Sequence, residues 1–178
     1  MAMQPILGSS CAQATTSREA RYRIDAPIAG RRGARVIALD DRAATIVRRA
    51  AQQQWNGARF FTLEVGAPGA QGPAALLPDG DDSPDIALHR TDGSSSTLTD
   101  ELAEADVVVM VATTDGNAEA AEAIGRACAR RGIMTAGLAL GERNAVAGTI
   151  LALRPHAQVL LVSRDDQDLS EVLTALRA

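Results

Sequence analysis

The sequence predicts an α/β protein, a three-layer Rossmann-like sandwich with a mostly parallel sheet and helices on both faces. The first observation behind this is Asp106 to Ala112, DVVVMVA, a short β-branched run suited to a central strand buried on both faces. The second is that apolar strand-like runs alternate with segments of helical period from residue 34 onward. The third is that aromatics make up 2% of the chain, leaving Ala, Val, Leu and Ile to fill the core between helices and sheet.

Taken in order, residues 1 to 33 mix Ser, Gln, Thr, Gly and Arg without a sustained period. They read as a leader, flexible or pinned by a short strand around Tyr22 to Asp25. The single domain is expected from 34 to 178. Ala34 to Leu39 is the first strand, Asp40 a turn and cap, and Arg42 to Gln54 a helix ended by Gly57. Arg59 to Val65 is the second strand. Gly66 to Pro84 holds four Gly and four Pro and reads as a loop or excursion. Asp85 to His89 is a candidate additional strand and Ser94 to Ser96 a polar turn. A short helix follows from Thr97 to Leu102, with Thr97 or Thr99 as its cap.

After the central strand comes the polar turn Thr113-Thr114-Asp115-Gly116-Asn117, then a helix from Ala118 to Arg131 closed by Gly132. Ile133 to Leu140 is a strand, Arg143 to Leu153 a helix stopped by Pro155, Gln158 to Ser163 a strand, and Gln167 to Arg177 a last helix. Repeated β-α-β alternation favours parallel pairing with right-handed crossovers.

Composition narrows the function classes. At 178 residues one core is expected, and 46% hydrophobic with 22% charged residues is a globular balance. All eighteen basic residues are Arg, so no Lys is present for Schiff-base or Walker-type chemistry. A net charge of −4 and a pI near 5.2 lack the concentrated positive charge of a nucleic-acid binder. Cys11 and Cys128 have no metal-ligand spacing, and no metal site is expected. No apolar stretch reaches membrane-spanning length and no secretory signal is apparent, so the expected location is the cytoplasm, with no membrane partner.

In such a sheet ligands bind beyond the carboxyl ends of the strands. The candidate ligand-binding residues are therefore Asp40, Asp41 and Arg42 after the first strand, Thr113, Thr114, Asp115, Gly116 and Asn117 after the central one, and Arg143 near the following turn. Hydroxyls, a Gly and a helix N-terminus together can donate to a phosphate or carboxylate. The same residues also make an ordinary cap and turn, and an Asp pair at a helix start complements the helix dipole. His89 and His156 have no Ser, Cys or acid partner in a recognisable arrangement. No nucleophile, base and orienting group can be nominated together, so no catalytic residues are assigned.

The order of segments from 34 to 170 resembles the nucleotide-binding domain of the FtsZ/tubulin superfamily. Ala105-Asp106-Val107-Val108-Val109-Met110-Val111 is similar to that family's "ADMVF" strand, and Arg131-Gly132-Ile133-Met134-Thr135-Ala136-Gly137 to its "GILTVGV" segment. Leu153 to Leu169, with Asp165-Asp166, is similar to its later strand and "ND" turn. The family's GGGTGTG loop corresponds to Ala112-Thr113-Thr114-Asp115-Gly116-Asn117-Ala118, where one Gly remains, and its first glycine loop to Leu39-Asp40-Asp41-Arg42-Ala43. The resemblance implies a degenerate phosphate site, holding GTP, GDP or another phosphorylated small molecule weakly, or a domain that acts through a homo-oligomer or protein partner. Thr113, Gly116 and Asn117 also echo the S-x-S-G-x-T loop of phosphosugar-binding SIS domains. A non-catalytic protein-interaction module is the third expectation.

Overall fold

A computed structural model describes residues 33–63, 86–176 and 178. The expected leader strand near Tyr22 and the Gly- and Pro-rich segment 66–84 lie outside the described residues. The strands are β1 (Ala34–Ala38), β2 (Arg59–Leu63), β3 (Ala87–Arg90), β4 (Ser95–Thr97), β5 (Val107–Ala112), β6 (Met134–Leu140) and β7 (Val159–Ser163). They form one seven-stranded sheet in the order β4-β3-β2-β1-β5-β6-β7. β2, β1, β5, β6 and β7 run parallel, while β3 pairs antiparallel with β2 and β4 antiparallel with β3. This is the α/β architecture the sequence predicts, with an antiparallel hairpin added at one edge.

Helices α1 (Asp41–Ala50) and α5 (Asp168–Ala175) cover one face. There Ile46, Val47, Leu169 and Leu173 meet Val36, Val109, Val111 and Leu138. Helices α2 (Leu98–Ala103), α3 (Ala118–Arg131) and α4 (Ala147–Leu153) cover the other, where Leu102, Ile124, Cys128 and Leu153 meet Ile37, Phe61, Val108 and Met110. The central strand is the most enclosed part of the sheet. β5 pairs in register with β1 (Val36 with Val109) and with β6 (Val109 with Ala136), and Val108 to Ala112 are buried. Side chains alternate between the two layers along a strand, so a strand covered on both faces must be apolar at every position.

Several boundaries differ from the expectation for identifiable reasons. The first helix stops at Ala50, four residues before Gln54, because the Trp55 indole Nε1 donates to the Ala50 carbonyl at 2.8 Å and folds the chain back. The expected turn at Ser94 to Ser96 is instead strand from Ser95. The turn lies just before it, where Gly93 has φ 93° and Asp92 Oδ1 accepts from the Ser94 amide at 2.9 Å and its hydroxyl at 2.6 Å. Of the two candidate caps of α2, Thr97 caps it, accepting from the Asp100 amide. The expected helix from Arg143 divides into a 3-10 turn, Arg143–Val146, and α4. Its division follows from Asp115, whose carboxylate accepts the Thr149 amide at 2.9 Å and the Gly148 amide, and so caps a new helix start.

Candidate functional site

The strand order reverses between β1 and β5: the chain passes from β1 outward to β2, and from β5 outward to β6 and β7 on the other side. The crevice beyond the carboxyl ends of these two strands is where open α/β sheets take ligands. Asp40 stands at the end of β1 and Thr113 to Asn117 at the end of β5, so the structure brings the two candidate loops together.

What fills the crevice is Asp40 itself. Its Oδ1 accepts from the Ala43 amide at 2.8 Å, which caps α1, and from the Thr113 hydroxyl at 2.6 Å. Its Oδ2 accepts from the amides of Thr113 at 2.6 Å and Thr114 at 3.1 Å. These are the donors a phosphate would need: a helix N-terminal amide, two loop amides and a hydroxyl. The carboxylate is an internal anion in the place of an external one.

The rest of the loop is satisfied in the same way. The Asn117 side-chain amide donates to the Leu39 carbonyl, tying the loop to the end of β1. Gly116 donates its amide to Thr114 Oγ1 at 3.4 Å, and the Ala118 amide donates to the Asp115 carbonyl at 3.3 Å. Thr149 Oγ1 donates to the Thr114 carbonyl at 3.0 Å. The amides of Thr149 and Gly148 hold the Asp115 carboxyl below the usual carboxylate range. A Cβ built at Gly148 would lie 3.2 Å from the Asp115 carboxyl carbon, a tight approach. Asp41, Arg42 and Arg143 are exposed and stand outside this hydrogen-bonded core. At the rim, Arg164 pairs with Glu142 at 2.7 Å.

A second polar constellation, missed by the sequence reading, lies at the amino edge of the sheet. Glu101 of α2 is buried, and its Oε2 accepts from Arg35 Nε at 2.8 Å and Arg59 Nη1 at 3.2 Å. Its Oε1 accepts from Arg90 Nη2 at 3.0 Å and Ser96 Oγ at 3.0 Å. Strands β1, β2, β3 and β4 each contribute one of these donors, so Glu101 fastens α2 to four strands. Arg35 also donates from Nη2 to the Glu104 carbonyl at 2.8 Å. Burial raises the Glu101 pKa, but the hydrogen bonds from Ser96 and Arg59 and the charge of Arg35 outweigh it, and the carboxyl stays below its ordinary range. A carboxylate with four donors on its two oxygens is neither a free base nor a free acid. The signal was available in the sequence: an Arg inside the apolar run ARVIA must find a buried counter-charge.

No protein-family model matches this chain, and no curated protein matches it. The chemistry of these residues is therefore what carries a functional reading.

Burial pushes the Cys128 thiol up to about 11, which removes it as a nucleophile near neutral pH. His89 shares a hydrogen bond with Ser95 across the hairpin at 3.0 Å, and His156 packs over Gly125. Among the described residues no group of three or more His, Cys, Asp or Glu side chains converges as a metal site would require, and no helix is long and apolar enough to cross a membrane. Concavities of about 390 and 240 Å³ open on the amino edge, the first between the starts of β5 and β6, the second beside Trp55 and Arg59.

Proposed function

We propose that this protein is a non-catalytic interaction module of Rossmann-like architecture, whose ligand crevice is closed by its own Asp40. One observation carries the reading: the Asp40 carboxylate accepts the Ala43, Thr113 and Thr114 amides and the Thr113 hydroxyl. A phosphate entering there must displace a covalently tethered carboxylate and then endure its repulsion. The tether makes these contacts intramolecular, so a free ligand must first break a preformed set of four hydrogen bonds. On this reading the likeness to FtsZ/tubulin domains concerns the order of segments and not nucleotide chemistry.

A specific observation favours the second reading, weak binding of GTP, GDP or another phosphorylated molecule. Arg42, in the first turn of α1, and Arg143, in the 3-10 turn after β6, are exposed and pair with no acid among the described residues. Thermal shift with GTP, GDP, ATP and a sugar phosphate separates the two. A ligand at 100 times its dissociation constant stabilises by about 2.7 kcal/mol. The interaction reading expects no shift from any of them at about 1 mM, beyond that of matched salt. A saturable, ligand-specific shift removed by Gly116→Val would establish the second reading instead. Gly116 is suited to that control because an added Cβ meets Thr114 Oγ1 at an ordinary 3.5 Å.

A further inference from the structure

The two edges of the sheet are built differently. β4 is three residues long, and its sequence Ser95-Ser96-Thr97 is polar. Short polar edges are how sheets avoid pairing with other chains. β7, at the opposite edge, reads Val159-Leu160-Leu161-Val162-Ser163, with no charge and no Pro to block pairing. An edge strand leaves every second residue's N–H and C=O without a ladder partner on its free side.

Its side chains are also incompletely covered. Register with β6 sets Val159 beside Ala136 and Leu161 beside Leu138, on the face that α1 and α5 cover farther in. That layer stops short of β7, where Val159 is 49% and Leu161 36% exposed. On the opposite face Leu160 and Val162 pack against the cluster of Ala139, Val146 and Ile150 and are only partly exposed.

We propose, resting on the interaction reading above, that β7 is a self-association edge on which a second copy of this chain pairs antiparallel. The charges flanking the strand choose the occupant. Arg154 precedes it; Asp165, Asp166 and Asp168 follow it. Arg164 is offset by Glu142, and Asp166 lies 3.3 Å from Arg49. An antiparallel copy brings the basic start of each strand to the acidic end of the other, whereas a parallel copy sets like against like. Antiparallel pairing is also what a closed two-fold dimer requires. A two-fold axis at Leu160 places Val159 of each copy directly opposite Leu161 of the other, on the uncovered face.

Sedimentation equilibrium of the full chain, with single and paired substitutions on that face, tests this. The unmodified protein is expected to be a dimer that weakens as ionic strength rises. Val159→Glu and Leu161→Lys, both at exposed positions, are each expected to weaken dimerisation at least about tenfold. Together in one chain they place Glu opposite Lys twice and are expected to restore much of the loss. A chain monomeric up to about 1 mM, or a dimer indifferent to both single changes, would overturn the proposal. So would a monomer whose β7 amides resist hydrogen exchange, which assigns the edge to another segment of the chain. None of these results touches the interaction reading itself, which falls to specific ligand binding at the Asp40 crevice.

Discussion

Both oxygens of Asp40 are occupied by donors from two separate loops, and the same side chain caps α1. Removing it takes away a helix cap and leaves two loop amides to water, effects that are each about 1 kcal/mol. Asp40→Ala is therefore expected to lower the unfolding free energy by about 2 kcal/mol, read from the urea midpoint at unchanged slope. Glu101 carries more, because its loss removes the carboxylate that Arg35 Nε meets at 2.8 Å and leaves the more distant Glu104 carboxylate at 3.7 Å. Breaking a buried pair by removing one partner costs about 3–5 kcal/mol, and Glu101→Gln is expected to fall at the low end since the amide still accepts from two donors. The pH dependence follows from the direction of its shift. A carboxyl held below its unfolded value stabilises the fold above the unfolded pKa, about 4.3 for Glu, and the contribution disappears as pH falls through the folded value. Asp115, held low by the Thr149 and Gly148 amides, has the same sign. Stability is thus expected to decline below about pH 4.5, less steeply in Glu101→Gln than in the unmodified chain.

Elements meet most tightly where glycines let them. In α3, a Cβ at Gly125 would lie 2.7 Å from three atoms of His156, including its Cβ, so the approach is to the stiff base of the side chain. Gly125→Ala gains about 1 kcal/mol of helix propensity but forces apart α3 and the segment leading to β7. Overpacking of this kind costs about 1–3 kcal/mol, and the net expectation is a protein no more stable than the parent, measured by urea unfolding. A gain of a full kcal/mol would mean that His156 moves freely. The elements best read from sequence were those with one dominant signal: the β-branched run of β5, and α3 with Gly132 at φ 67° beyond its end. Short elements gave way to tertiary contacts. Ser95 and Ser96 have turn propensity yet pair with His89 and Leu88, and α4 begins where Asp115 caps it, thirty-odd residues away in sequence.

At the scale of the whole molecule, the two polar constellations lie on opposite edges of the sheet and both are internally closed. The parallel order, the helices on both faces and the meeting of the Asp40 and Thr113 loops were legible, because they follow from periodicity and from β-α-β succession. What the loops do was not legible. Asp40, Thr113 and Thr114 have the residue types of an anion site and of its occupant at once, and only the fold reveals that one satisfies the others. Nor does spacing along the chain bring Arg35, Arg59 and Arg90 to one carboxylate; strand register does.

The claim that Asp40 closes the crevice is tested most directly at the amides it holds. In ¹H–¹⁵N spectra of the isotope-labelled full chain, titration with inorganic pyrophosphate to about 5 mM, a range that detects dissociation constants near 1 mM, reports on Thr113 and Thr114 individually. Both cross-peaks are expected to stay in place, while replacing Asp40 by Ala moves them. Saturable displacement of the Thr113 and Thr114 signals in the unmodified protein would contradict the closure and reopen the crevice as a phosphate site.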